Sequence, residues 1–592
     1  MLKELEYPFD GQYIISKKIK LRKQLKNDGE RRVPKRIAVL GGSTTHDILL
    51  CIEIFLLNYG IEPEFYESEY NQYYQEALFP SEKLQEFKPD IIYIHTTNRN
   101  ITNYPSVSDS PEAIDLMISS EFSKYTAMWD NLADVFHCPI IQNNFEKPSY
   151  RLMGNKDASD VHGRINFISR LNQKWYEYAQ SHSDFYICDI DFISSDFGLT
   201  EWQDAQNWYM YKYAMRLSAI PLLSFNIANI IKSLFGKNKK GFVLDLDNTL
   251  WGGVIGDDGV DNIEIGPEGA VGQAYLDFQQ YLKENKQLGV ILNVDSKNDE
   301  ENAMAGLNHP DGILRPDDMI IVKANWNPKD RNFLEIANEL TLLPESLVFV
   351  DDNPAERHIV TEQLSGVIAP NINAVQDYIR ILDRSGFFEA TVISADDVKR
   401  NQMYKENASR AQQATKFENY TDYLLSLDMR ATIKSFEPVL MARIAQLSNK
   451  SNQFNLTTRR YTQDEIEAIA TDTEYIDLYG KLEDRFGDNG VVSVVIGHQK
   501  GNICDIVLWL MSCRVLKRDM EYAMMDKFIS KCGERGIYKV VGHYYPTAKN
   551  DMVKDFYALH GFSKVEEDAE GNTRWEILVA DYIPKNHVIQ MI

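Results

Sequence analysis

GFVLDLDNTLWGGVIGDDG, residues 241–259, runs from an apolar stretch into two carboxylates spaced two apart. FVLDL reads as a strand. Alternate side chains of a strand share a face, so Asp245 and Asp247 point to the same side. Open parallel α/β sheets hold ligands beyond the carboxyl ends of their strands. The stretch therefore predicts an α/β domain with an acidic pair at its ligand edge, followed by Thr249 and a glycine turn. Three more pieces follow in order: GVILNVDS (289–296), ending in Ser296; NWNPKDRN, with Lys329; and SLVFVDDNP (346–354), with Asp351 and Asp352. The gaps, 296 − 247 = 49 and 329 − 296 = 33, leave no room for a large cap domain over the site.

The same alternation of strand and helix runs on both sides. IAVLGGST (37–44) precedes HDILLCIEIFLLNYG, which has apolar residues at helical spacing. DIIYIHTT, CPIIQNN and DFYICDID are further strands, and together they predict a parallel sheet. A last block carries VVSVVIGH, ICDIVLWLMSCRV and KVVGHYYP. The expected divisions are a basic N-terminal arm (1–36), an α/β domain (37–235), the acidic-edge domain (240–385), a helical linker (386–427) and a C-terminal α+β domain (428–592).

At 592 residues the chain exceeds one core and suggests about three or four domains. Its charge is 63 − 87 = −24, which disfavours nucleic acid as a partner. Residues 16–36 depart from this with ten Lys or Arg against two acids. They read as a solvated helical arm or a docking surface for an acidic partner. The six cysteines form no CxxC pair and no disulfide framework, so a reducing cytoplasm is expected. The opening MLKELEYPFDG lacks an apolar signal core, and no apolar run of about 18 residues is apparent, so no membrane insertion is expected.

The four collinear pieces resemble the motifs of the haloacid dehalogenase superfamily. The resemblance implies Asp245 as the nucleophile that forms an aspartyl-phosphate. It makes Asp247 the general acid and base. Thr249, Ser296 and Lys329 would meet the phosphate, Lys329 neutralising its charge. Mg²⁺, an ion that takes oxygen ligands, would be held by Asp245, the backbone carbonyl of Asp247 and Asp351. Asp352 is a candidate to stand behind these ligands, its role left open by the resemblance.

YESEYNQYYQEAL, SKND, FVDDNPAER, SNKSNQFNLTTRR, MSCRV and YYPTAKNDMVKDFYALHGF extend the match. Across almost its whole length the sequence is similar to FkbH-like proteins. These join an SGNH-hydrolase-like domain of flavodoxin type, a capless haloacid dehalogenase domain and a GNAT-like acyltransferase domain. Relatives in polyketide pathways load a glyceryl unit from 1,3-bisphosphoglycerate onto the phosphopantetheine thiol of an acyl carrier protein. Others occur among surface-polysaccharide genes. Glyceryl-loading relatives commonly carry a cysteine before the motif-two serine; here Asp295 stands there, a poorer acyl relay than a thiolate. Cys513 is the alternative relay, weighed against a core role.

In the first domain Ser43 takes the place of the SGNH nucleophile, and Asn98 is the candidate for its oxyanion hole. His46 and His95 are candidates of equal standing as turn residues. The late DxxH is replaced by Asp204-x-x-Asn207, and asparagine cannot accept the serine proton. A binding or scaffold domain is therefore expected over an esterase. In the last domain the helix N-terminus that would hold a pantetheine pyrophosphate lacks glycine. Lys517 and Arg518 remain to meet phosphate, and SNKSNQFNLTTRR is expected to line the pantetheine groove.

Three functions follow. The first is a Mg²⁺-dependent enzyme removing phosphate from a small-molecule substrate and passing a glyceryl unit to a carrier protein. The second is a phosphatase on a sugar or glycan-precursor phosphate. The third is a non-catalytic scaffold.

Overall fold

Ile37–Leu40 are wholly buried at the centre of β1 (Val33–Gly41), as a strand covered on both faces must be. The computed structural model describes residues 2–414, 416–547 and 549–592. The chain divides into two units, Met1–Leu234 and Phe235–Ile592. In the first, β1 is joined by β2 (Ile61–Glu67), β3 (Ile91–His95), β4 (Ile140–Asn143) and β5 (Phe185–Cys188). The order is β2-β1-β3-β4-β5, all parallel.

The basic stretch is not a free arm. Helix α1 (Gly11–Lys26) starts where Asp10 accepts the Tyr13 N–H, and it buries Ile14, Ile15, Leu21 and Leu25. It packs on α2 (His46–Asn58), which also packs on α3 (Ile220–Leu234). Three cations of α1 pair within this unit: Lys18 with Asp47 at 3.1 Å, and Arg22 and Lys26 with the buried Glu53 at 2.6 and 2.8 Å. Residues 217–234 do form a helical run long and apolar enough to cross a membrane; 72% of that window is buried in the fold, as in a core helix.

The second unit opens with β6 (Gly241–Leu244), β7 (Ile291–Ser296), β8 (Val322–Ala324) and β9 (Leu347–Val350), ordered β8-β7-β6-β9 and parallel. Phe242, Leu244, Leu292, Val294, Val348 and Val350 form the core on one face. Val243, Ile291, Leu347 and Phe349 form it on the other, with Phe333 and Ile336 of α4 (Lys329–Glu339). A Cβ on Gly241 would meet the Ile291 carbonyl at 2.3 Å, so the two strands require glycine there.

Helix α5 (Ala395–Ala414) lies in the stretch read as a linker, yet it is built into its surroundings. Tyr404 is buried in the second face of this sheet. Asn407 donates to the Arg514 carbonyl, and Arg410 pairs with Asp484. The last sheet comprises β10 (Arg430–Lys434), β11 (Phe454–Asn455), β12 (Tyr475–Asp484), β13 (Gly487–Lys500), β14 (Ile503–Met511), β15 (Lys539–Tyr544), β16 (Ser563–Glu567), β17 (Thr573–Leu578) and β18 (Gln590–Met591). Its order is β16-β17-β15-β14-β13-β12-β10-β18, with β11 against β14. The β14–β15 and β10–β18 pairs are parallel and the rest antiparallel. Helix α6 (Met520–Glu534) packs on β12 and β13, completing an α+β domain.

Candidate active site

The carboxyl ends of β6, β7 and β9 bring the motif residues together. Asp245 follows β6 and donates its N–H to the Val350 carbonyl at 2.9 Å, which fixes it beside the end of β9. Asp351 follows β9. Lys329, the first residue of α4, reaches both, with Nζ 2.9 Å from Asp245 Oδ2 and 2.6 Å from Asp351 Oδ2. Asp245, Asp351 and Asp352 each offer a carboxylate oxygen within 4.8 Å of the others, a set able to hold a hard cation. Burial and the Asp245 charge lift Asp351 above the usual carboxylate range despite Lys329. The same two causes raise Asp352. Burial alone would push the Lys329 ammonium down, but Asp245 and Asp351 outweigh it and hold the pKa above its ordinary value.

Asp247 is oriented separately. Its Oδ1 accepts from Trp251 Nε1 at 2.9 Å and from the Ile255 N–H at 3.1 Å; Oδ2 accepts from Asn298 at 2.8 Å. Burial raises its pKa, with a further push from Asp245, against these hydrogen bonds. The turn that aims it needs Asn248 at φ 54°, a conformation asparagine tolerates. Beyond it lies a small flap, tied where Gly252 and Glu264 exchange backbone bonds of 3.1 and 2.8 Å. Ser296 ends β7 beside this group and is buried.

Other expected residues sit elsewhere or act differently. Thr249 is fully buried, and its hydroxyl accepts the Asp352 N–H at 3.2 Å, tying the first and last motif loops together. Asp295 lies on the buried face of β7 towards α4, where Oδ1 accepts from Asn332 at 3.0 Å and Oδ2 has no partner among the described residues. Burial lifts it to about 8, with Asn332 and Lys329 opposing. Cys513 bonds Lys240 at 3.4 Å. Lys240 precedes β6 whereas Asp245 follows it, so the length of the strand, about 16 Å at ~3.3 Å per residue, separates Cys513 from Asp245. It is placed to receive nothing from Asp245. Burial would raise the Cys513 thiol, but Lys240 and Arg514 outweigh it and lower the pKa.

Asn298 and Arg357 lie within SKND and FVDDNPAER but had no assigned role. Arg357 donates to the carbonyls of Asp351 and Asp352, both at 2.7 Å, and shapes their loop. Their signal was position beside a motif acid, which does not by itself say what a side chain bonds.

In the first unit Ser43 is buried, and its hydroxyl has no partner among the described residues. Asn98 does not join it; its amide donates to Glu146 at 2.9 Å. Asn100 reaches the serine loop instead, donating to the Gly42 carbonyl at 2.9 Å. His95 is buried with Nδ1 at 2.9 Å from the Tyr93 hydroxyl, and His46 is exposed beside Glu67 at 3.6 Å. Asn207 turns its amide onto Asp204 at 2.8 Å, closing the pair on itself.

Residues 36–232 match the family model described as FkbH, N-terminal domain. This segment is FkbH-like. The chain is also similar to the N-terminal part of BF1531 from Bacteroides fragilis, whose crystal structure contains a phosphatase domain complexed with Mg. The two are 28% identical with a TM-score of 0.59, over 63% of this chain and 99% of that one. The ribosomal-protein-S18-alanine N-acetyltransferase of Escherichia coli is 11% identical over 25% of this chain and 94% of its own, with a TM-score of 0.21. No curated protein matches the sequence. The chain is thus a multidomain α/β protein whose first unit carries the FkbH N-terminal match and whose acidic edge lies in its second unit.

Proposed function

We propose that the chain is a Mg²⁺-dependent phosphatase acting on a phosphorylated small molecule through Asp245. The observation that carries this reading is Lys329 set between Asp245 and Asp351, with Asp352 closing the carboxylate set. The Mg-bound phosphatase-domain structure of BF1531 supports it. When bound by Asp245, Asp351 and Asp352, Mg²⁺ supplies charge neutralisation for the phosphate. An Asp245 oxygen attacks phosphorus, and the bond from phosphorus to the substrate oxygen breaks. Asp247, held by Trp251, Ile255 and Asn298, gives that oxygen its proton. It then takes a proton from water, which attacks the aspartyl-phosphate and releases phosphate and the Asp245 carboxylate. Lys329 and Ser296 steady the phosphoryl oxygens.

Glyceryl transfer from 1,3-bisphosphoglycerate to the phosphopantetheine thiol of an acyl carrier protein is the finer reading. The small flap favours it, since a macromolecular acceptor needs an uncapped edge. It would have to run without a relay thiol, because Asp295 is buried against Asn332 and Cys513 lies at the far end of β6. A sugar phosphate or glycan precursor is the alternative substrate. The test measures phosphate release from a panel of sugar phosphates. Beside it, intact mass spectrometry follows a holo carrier protein incubated with the enzyme, Mg²⁺ and freshly generated 1,3-bisphosphoglycerate. Phosphate release that Asp245→Asn lowers by about 10³-fold or more supports the phosphatase. A carrier adduct lost in the same variant adds glyceryl loading. Function untouched by Asp245→Asn would leave only a scaffold.

A further inference from the structure

The C-terminal sheet has a gap at its centre. β14 and β15 are paired only from Ile503–Asp505 to Lys539–Val541, and beyond that they part. Their outer neighbours, β13 and β17, remain paired along them. Two parting strands leave facing rows of backbone N–H and C=O groups, the kind of edge to which an extended, amide-bearing chain adds as a strand. A pantetheine arm, with its two amides, is such a chain.

Here the edges are already taken. Phe454 and Asn455 pair antiparallel with Met511 and Leu510. The Leu456 N–H donates to the Trp509 carbonyl at 3.0 Å, and the Thr457 hydroxyl donates to the Val507 carbonyl at 2.9 Å. On the other side the Tyr545 N–H donates to the Leu456 carbonyl at 2.8 Å. Asn550 donates to the carbonyls of Asn455 and Tyr545, both at 2.9 Å. Phe454, Asn455, Leu456 and Thr457 are all buried, and the Phe454 ring packs edge-on against Phe556, their centroids 5.5 Å apart. The segment expected to line a groove fills it.

A second observation concerns the N-terminus of α6, where the resemblance would put a pyrophosphate. Asp519 is its cap residue and Glu521 lies in its first turn, so the helix end carries acids. Arg518 points inward, to Asp484 at 3.1 Å, Asn407 at 2.6 Å and the Arg514 carbonyl at 2.7 Å. Tyr420 covers the loop by donating to the Lys517 carbonyl at 2.6 Å.

We infer that the gap between β14 and β15 is closed to coenzyme A and phosphopantetheine arms, because residues 454–457 occupy it as a built-in strand. The C-terminal domain then offers no pantetheine groove between these strands. This does not depend on the phosphatase reading, since its test is exchange and not turnover. Hydrogen exchange would be followed in full-length Asp245→Asn protein without Mg²⁺, with and without millimolar coenzyme A. The Leu456 and Tyr545 amides should exchange at least about 10³-fold more slowly than free amides. Coenzyme A should leave residues 454–457 unchanged, including when it binds elsewhere. Faster exchange there on adding coenzyme A, or fast exchange in its absence, overturns the inference.

Discussion

Among the described residues Lys329 is the one ammonium set between Asp245 and Asp351, and it is buried with both, while Asp352 is half-buried beside them. One cation cannot balance three carboxylates at this range, so a divalent ion should stabilise the fold as well as serve chemistry. Mg²⁺ at about 100 times its Kd should add about 2.7 kcal/mol. This is read as a rise in Tm that EDTA reverses and Asp351→Asn removes. A Tm indifferent to Mg²⁺ would sink the metal assignment. Lys329→Met should cost the metal-free protein about 3 kcal/mol by stranding buried carboxylates, with Mg²⁺ restoring part of it. Asp295 gives the opposite sign. Its folded pKa of about 8 lies above its unfolded value, so its contribution is lost as pH rises from about 4 towards 8. Asp295→Asn keeps the acceptor for Asn332 and removes that penalty. Urea unfolding at pH 7.5 should therefore show a gain on the order of 1–3 kcal/mol; a loss would mean the charged form is the one the fold holds.

At the scale of elements, the motif strands were legible because buried parallel strands read as apolar runs, and their acids fall at fixed offsets from the strand ends. α1 and α5 were not. Both are rich in Lys, Arg and Gln, a composition that suggests solvent. Their burial comes from pairing that periodicity cannot reveal: Arg22 and Lys26 onto Glu53, and Arg410 onto Asp484 at 2.8 Å. Asp484 also receives Arg518 at 3.1 Å, so one wholly buried carboxylate holds two guanidiniums between α5 and the loop before α6. Asp484→Asn should cost about 3–5 kcal/mol, as breaking a buried pair does. Urea unfolding measures this, and a cost below about 1 kcal/mol would show that solvent reaches the arginines.

Over the whole molecule, what stayed hidden was long-range: SNQFNLTT is polar enough to read as a groove lining, and only the parting of β14 from β15 shows it to be a strand. Long-range burial also sets the response to acid. Burial pushes His95 in the first unit and His560 in the second down to about 4. Each supports the fold fully above about pH 6.5 and loses that support as pH falls towards 4, because the unfolded chain takes up the proton first. Burial also lifts Glu146 and Glu521 to about 7. These two act the other way, their contribution growing as pH falls from about 7 to 4.5. The opposing pairs nearly cancel between pH 7.5 and 5.5, which leaves Asp295 to set the wild-type trend, a rise in stability as pH falls. Single substitutions should expose each half. Relative to the wild type over that interval, Glu146→Gln should lose about 1 kcal/mol and His95→Gln should gain about as much. The check is the urea midpoint of each full-length variant at both pH values. Parallel shifts, leaving each variant with the wild-type pH response, would mean that neither group is held in the protonation state its burial dictates.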